Sequence, residues 1–459
     1  MITMDNIVAL AKRRGFIYPS SEIYGGLANT WDFGHYGVLL KNNLRDLWLK
    51  KFVLDRSDII LLDTSVILNP KVWEASGHVA GFSDALVDCK NCRYRTRADH
   101  LIENKLKNIK VEGLSPEKLT KIIQDNKLKC PHCGKSDFTE VRRFNLLFPT
   151  HIGILQESKS LAYLRGELAQ GIFLNFRNVL DTIRVKIPFG IASQGIAFRN
   201  EITMGQSVFR TLQFDLMEFE YFIEEKEWKK HYEYWQKEMW KFAKKLGLNE
   251  KKLRWREHEE YERSHYSKKT MDIEYEFPFG WKEIWGLAYR TDYDLRNHME
   301  KSGKDLTYKD QKTGKSFIPH VIEPTFGLSR LVFTLMIDSF KEEKVGDSLR
   351  TLMSFDPRIA PVKVAVFPLQ KDDKLKGIAK DIFVDLKKDF VVEFDDSGNI
   401  GKMYRRQDEI GTPFCVTVDY QTAQDKSVTV RDRDSMKQER VKANSLKEYF
   451  KNKLKVDFN

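Results

Sequence analysis

Two arginines and a glutamate, Arg199, Glu201 and Arg210, flank a glycine-containing loop in AFRNEITMGQSVFRTLQFDLMEFEYF, residues 197–222, and Phe214 opens the run that follows. Guanidinium groups so arranged suit an anionic ligand, because their planar donor forks match carboxylate and phosphate oxygens in pairs. Side chains alternate along a strand, so FDLMEFEYF puts Asp215, Met217, Phe219 and Tyr221 on one face and Phe214, Leu216, Glu218 and Glu220 on the other. The elements that must position these groups are two strand-like runs joined by the loop, a hairpin. A solvent-facing strand would explain the charges alone, but not paired arginines opposite an aromatic ring.

A second chemistry is written in cysteine spacing. Cys89-Lys-Asn-Cys92 and Cys130-Pro-His-Cys133 each set two thiolates on a tight turn, and two such knuckles complete a tetrahedral site. Four protein ligands leave no open position for a reactive water, which predicts structural Zn2+, with His100 and His132 as possible substitute ligands. The 37 residues between Cys92 and Cys130 predict a zinc ribbon with a helical excursion between its knuckles. The fifth cysteine, Cys415, stands in the apolar run PFCVTVDY and reads as a buried thiol.

The chain around these sites has 459 residues and 41% hydrophobic content, enough for two or three domains with their own cores. Its formal charge of +11 favours a polyanionic partner such as nucleic acid, although a solvated lysine-rich surface gives the same total. The start MITMDNIVALAKRRGF has no apolar secretory core, and no stretch approaches the roughly 18 unbroken apolar residues of a membrane span, so a cytoplasmic protein without a membrane partner is expected. From Cys89 to Glu140 twelve Lys/Arg stand against seven Asp/Glu, with helices predicted around 101–110 and 116–128. Between 141 and about 354 short β-rich runs dominate, with helices predicted near 169–181, 226–246 and 328–341. The helix over 226–246 carries Trp228, Tyr232, Trp235 and Trp240 as an aromatic stripe, expected to pack in a core. After Phe355-Asp356-Pro357 the sequence restarts with VKVAVFPL and alternates strands with helices, a separate α/β domain.

With those residues in view, the sequence closely resembles the homodimeric glycyl-tRNA synthetases, a class II synthetase family. The RNE…FR…F…E pattern of 199–218 resembles motif 2, HVIEPTFGLSR at 320–330 resembles motif 3, and KIPFGIASQ at 186–194 resembles motif 1. PSSEIYGG, NPKVWEASGHVAGFSD at 69–84, LRGELAQGIFLNF at 164–176, GWKEIWGLAYRTDYDL at 280–295 and YRRQDEIGTPFCVTVD extend the likeness over nearly the whole chain. It implies an α+β fold: a class II antiparallel sheet flanked by helices, a zinc-ribbon-like insertion and a C-terminal α/β anticodon-binding domain. The implied domains are 1–88 and 141–355 for the catalytic core, with a helical insertion at about 224–270, then 89–140 for the zinc insertion and 361–459 for the anticodon domain.

The resemblance implies a glycine–tRNA ligase, a homodimer that activates glycine with ATP and Mg2+ and transfers it to tRNA(Gly). By the family pattern Arg199 bridges the glycine carboxylate and the α-phosphate, while Arg210 and Arg330 hold the far phosphates. Phe214 stacks on adenine with Arg330 over its other face, and Glu201 and Glu283 complete the ATP site. Glu167, Glu218 and Glu323 line the glycine pocket, with Thr325 where the family usually has Ser. Arg405, Arg406, Arg431 and Arg433 are the expected tRNA contacts in the last domain. Several positions depart from the family: Gly166 and Leu168 replace a proline and a threonine, Leu212-Gln213 replaces Arg-Glu, and His35-Tyr36 replaces a proline-containing pair. A synthetase-like binding module without activity would lack the arginines of motifs 2 and 3, and a ligase for proline, serine or threonine is disfavoured by ELAQG and VIEPT.

Overall fold

The computed structural model describes residues 3–106, 109, 111, 114–153, 160–201, 206–264 and 266–454. Its centre is a seven-stranded sheet, built in chain order from Ile59–Leu62 (β1), Phe189–Phe198 (β2), Gln213–Ile223 (β3), Leu253–Glu257 (β4), Lys269–Phe277 (β5), Gly280–Thr291 (β6) and His320–Gly327 (β7). The spatial order is β4-β5-β6-β7-β3-β2-β1. Neighbours run antiparallel except β1, which lies parallel to β2.

Both faces of the sheet are covered, and the period-two pattern decides which residue faces which layer. Met217, Phe219, Tyr221 and Ile223 of β3 enter one core with Trp48 and Phe52, Trp235 of the helix Trp228–Lys245, and the helix Leu328–Ser339. Phe219 meets Trp235 at 4.7 Å between ring centroids, while Trp228 stacks on Tyr289 at 4.6 Å, so this stripe packs inward, as its spacing suggests. The opposite face receives Phe173 and Phe176 of the helix Ala169–Thr182 and Leu295 of the helix Tyr293–Ser302. The first of these helices approaches closely at Gly171, where an added Cβ would stand 2.3 Å from Thr64 Oγ1.

A small sheet formed by Ser83–Asp88, Arg95–Arg97 and Arg142–Asn145 carries the cysteine knuckles. The helix Pro116–Asp125 stands between them. Its start is set by Ser115, whose hydroxyl accepts from Lys118 N–H, and by Pro116 at the first turn. Ala98–Glu103 is also helical; the helix predicted to continue to 110 instead ends in a turn at 104–105, and 107, 108 and 110 lie outside the described residues.

The last unit is a five-stranded sheet of Val364–Pro368 (β8), Val392–Phe394 (β9), Phe414–Val418 (β10), Ser427–Asp432 (β11) and Gln438–Lys442 (β12) in the order β9-β8-β10-β11-β12. β8 is parallel to both neighbours, which requires helical crossovers: Asp373–Leu386 and Ile400–Ile410 supply them. The second ends at Gly411, with φ +83°, where a Cβ would meet Phe355 at 2.5 Å. Among the described residues no helix is long and apolar enough to cross a membrane.

Candidate functional site

β2 and β3 pair as far as Phe198 and Gln213, and beside that end lies a cleft of about 630 Å³. Arg199, Glu201, Phe209, Arg210, Phe214, Glu283, Thr325 and Arg330 line it, which brings every residue expected at the ATP site to one cavity. Arg199 Nε donates to Gly166 O at 3.1 Å, and its guanidinium lies between Phe82 and Phe214, 5.2 and 5.4 Å from their ring centroids. Arg330 donates to the Glu283 carboxylate at 2.9 Å and covers the Phe209 ring at 4.7 Å. Arg210 faces Glu201 at 3.7 Å. Arg210 and Arg330 thus each face a partly exposed carboxylate that an anionic ligand can replace.

Beneath this cleft the same strand leads into a buried acid pocket. Glu218 is four residues beyond Phe214, about 13 Å along a strand, and its register partner on β7 is Thr325. Glu167, Glu218, Glu220 and Glu323 are all buried, and they surround Arg290, of which none is exposed. Arg290 donates to Asp294 at 2.8 and 2.9 Å and to Glu323 at 2.9 Å, and stands 3.6 Å from Glu167. Glu218 accepts the Leu168 backbone N–H at 2.7 Å. Gln170 bridges Glu167 and Asp294 at 2.9 Å each, and His78, beside the Ser76 hydroxyl, reaches Glu167 at 3.3 Å.

These contacts separate the carboxyls electrostatically. Burial pushes Glu167 up, but His78 and Arg290 outweigh it and hold the group well below the ordinary carboxylate range. Burial followed by repulsion from Glu323 and Glu167 pushes Glu218 up to about 8. Glu323 rises to about 7, with burial prevailing over its Arg290 partner. The arrangement is a buried cluster with excess acid, suited to a small ligand that brings its own positive charge.

Three members of this site escaped sequence reasoning. Arg290 lies in the YRTDYDL segment and is indistinguishable there from a surface arginine, because its burial is decided by β6 pairing with β7. Asp294 follows four residues later, in the first turn of the helix Tyr293–Ser302, where it holds Arg290 at the end of β6. Asp215, on the hydrophobic-core face of β3, is gripped by Lys41 at 2.9 Å and Arg45 at 3.0 Å from the helix His35–Leu49. The alternating i,i+4 cations were the available signal.

The departures from the family pattern acquire physical reasons. At Gly166 a Cβ would lie 3.2 Å from Leu147 and 3.3 Å from Phe82, so this turn leaves little space for a larger residue. Leu168 is fully buried with Ala197 and Leu216. The hydroxyl of Tyr36 donates to Glu393 in the last unit. The structure offers no account of Leu212 and Gln213.

The cysteine pairs converge as the spacing predicts. The Sγ atoms of Cys89, Cys92, Cys130 and Cys133 lie within 4.8 Å of one another, with 3.6 Å between Cys89 and Cys133 and 3.7 Å between Cys92 and Cys130. Zinc–sulfur bonds of about 2.3 Å give tetrahedral S···S edges of about 3.8 Å, so the donor set fits Zn2+. Cys415 is buried, and burial pushes its thiol up.

The four arginines expected to meet tRNA divide into two pairs. Arg405 and Arg406 are partly exposed; Arg405 donates to Leu349 O, and Arg406 to Asp395. Arg431 and Arg433 lie inside, 6% and 2% exposed, and this corrects their reading as RNA contacts. Arg431 pairs with Asp408, and Arg433 donates to the carbonyls of Gly411 and Phe355. β11 pairs on both sides, which puts Arg431 inside its own unit, while Arg433, just beyond the strand, reaches Phe355 across the joint between units.

An antiparallel sheet with one parallel edge strand, an arginine-bearing hairpin and a strand-to-helix turn ending at Arg330 define the catalytic fold of a class II aminoacyl-tRNA synthetase. A solved prolyl-tRNA synthetase from Cryptosporidium parvum has this fold, with TM-score 0.62 and 14% identity over 98% of this chain and 78% of that one. Residues 363–453 match the family described as "Anticodon binding domain". The glycine–tRNA ligase of Caldanaerobacter subterraneus subsp. tengcongensis is 52% identical over 99% of both chains, and that of Geobacillus thermodenitrificans is 51% identical over 98% of both. The chain belongs to the glycine–tRNA ligase family.

Proposed function

We propose that this chain activates glycine with ATP and transfers it to the 3′ end of tRNA(Gly). The single observation that carries the reading is the acid pocket of Glu167, Glu218 and Glu323 opening beneath an arginine- and phenylalanine-lined cleft. The glycine ammonium group enters the pocket. Its carboxylate, already ionised, points back toward Arg199 and attacks the α-phosphorus of ATP. A new O–P bond forms, the bond to the bridging oxygen breaks, and pyrophosphate leaves with that electron pair.

Arg199 steadies charge at the α-phosphate, Arg210 and Arg330 hold the departing phosphates, and Phe214 supports adenine, with Glu201 and Glu283 at the rim. Mg2+, when bound, neutralises phosphate charge. In the second step a ribose hydroxyl of the tRNA terminus attacks the activated carbonyl, and AMP departs. Selectivity requires space as well as charge, and Thr325, opposite Glu218 on β7, is the residue proposed to limit the room for a β-carbon. Arg405 and Arg406 remain the proposed tRNA contacts of the last unit, and structural Zn2+ is held by the four clustered cysteines.

We also propose a cytoplasmic homodimer; Ile23 and Tyr24, 88% and 87% exposed, form an apolar pair that a second copy would cover. The site reading is tested with Glu218→Ala. The glycine KM in ATP–pyrophosphate exchange is expected to rise at least tenfold while the ATP KM stays within threefold. An unchanged glycine KM would remove Glu218 from the pocket.

A further inference from the structure

Glu220 has no role in the scheme above, yet it is fully buried and neither carboxylate oxygen has a hydrogen-bond partner. It follows Glu218 by two residues, so both leave β3 on the same face, toward Glu323 of the adjacent β7. Carboxylate oxygens of Glu218, Glu220 and Glu323 lie within 4.8 Å of one another. Glu218 accepts from Leu168 N–H and Glu323 from Arg290, whereas Glu220 is left without a donor. A buried, unpaired carboxylate beside two others is not a state that water-free surroundings sustain. Either a proton or a ligand with N–H donors must be there.

Resting on the reading of this chamber as the glycine site, we infer that Glu220 is a fourth acid of the pocket and that Glu218, Glu220 and Glu323 share protons which an incoming ammonium group displaces. The released proton passes to solvent, and the ammonium supplies the positive charge and three N–H donors in its place.

The surroundings support the exchange from every side. Arg290 on β6 is a fixed cation beside the trio, and it donates to Asp294 and Glu323 rather than to Glu220. Asp294, from the helix Tyr293–Ser302, adds negative charge, and His298 of that helix is held low by burial and turned to Gln170. On the other side Glu167 is paired with His78, and Arg165 spends its donors on the carbonyls of Ile196 and Thr64. The Tyr266 ring lies flat against Arg290 at 3.7 Å, and burial keeps its phenol neutral. Burial and then mutual repulsion raise Glu220 well above the ordinary carboxylate range, beside Glu218 at about 8 and Glu323 at about 7.

The sign is definite. The free pocket holds protons that the occupied pocket lacks, so glycine affinity rises with pH through the neutral range and levels off only once the trio is ionised. Glycine keeps its ammonium proton over this range and contributes no slope of its own.

The experiment is calorimetric titration of the intact protein with glycylsulfamoyl-adenosine, an unreactive mimic of glycyl-adenylate, at pH 7 in phosphate and in Tris. The dependence of observed heat on buffer ionisation enthalpy counts protons. About one proton released by the wild type, and less than half of that by Glu220→Gln with binding retained, is the expected result. Binding without proton release, or an equal count in both proteins, would overturn the inference and leave the glycine reading standing. No preference for the glycyl compound over sulfamoyl-adenosine would overturn both. Should Glu220→Gln fail to fold, the wild-type glycine KM decides alone: it is expected to fall about tenfold from pH 6 to 7.5 while the ATP KM moves less than threefold, and a flat profile would overturn the inference.

Discussion

Arg290 is the residue on which the pocket balances, since its guanidinium meets Asp294 and Glu323 directly and lies near Glu167 while wholly removed from water. Removing one partner of a buried charge pair costs about 3–5 kcal/mol, because the other charges stay behind unpaired. Arg290→Met is therefore expected to lower unfolding stability by about 3 kcal/mol and glycine-dependent pyrophosphate exchange at least a hundredfold; urea denaturation and initial rates read the two effects. Unaltered exchange would exclude Arg290 from the site. At this scale the sequence was informative where a residue's role follows from strand parity: Glu218 and Phe214 share a face because they are four apart. It was silent where the role depends on what a distant strand covers. Arg290, Arg431 and Arg433 are chemically the same side chain as Arg405, and only the pairing of β6 and β11 puts the first three inside.

Elements differ in how completely their own residues specify them. The helix Leu328–Ser339 carries the largely apolar run LVFTLMI and is buried almost all round, and the C-x-x-C turns carry their geometry in four residues each. The predicted helix start at 116 coincides with the Ser115 cap and Pro116, whereas its end comes at Asp125 rather than 128. The zinc insertion is the element most dependent on a ligand. Its core holds Cys89 and Cys130 beside Val87, Leu101 and Ile123, so metal and hydrophobic packing share one small unit. Protein carrying Cys130→Ser, purified without chelator, is expected to lose its zinc and to be cut by trypsin within 89–140 while the rest of the chain resists. Full zinc content in that variant would refute the four-cysteine site.

At the scale of the whole molecule, the catalytic unit and the last unit meet through Ile410, which packs in the catalytic core, and through a set of polar contacts. Arg14 pairs with Glu409 at 2.6 Å, Tyr36 with Glu393, and the buried Arg350 with Asp408 at 2.8 Å, each linking the catalytic unit to the last one. This joint was not legible in the sequence, because its partners lie 58 to 395 positions apart and carry no local pattern. A chain ended after Ala360 strands Arg350 without Asp408, so the truncation is best made together with Arg350→Met. It is expected to keep pyrophosphate exchange within tenfold of the full chain and to lose tRNA charging more than a hundredfold; equal losses in both assays would mean that the last unit serves folding alone. The central claim, that arginines align ATP above an acid-walled chamber with no room for a β-carbon, is tested most directly by amino-acid-dependent ATP–pyrophosphate exchange on the full chain. Glycine is expected to support exchange at least a hundredfold faster than alanine, serine, threonine or proline at equal concentration. No exchange with glycine, or equal exchange with any of the others, would contradict it.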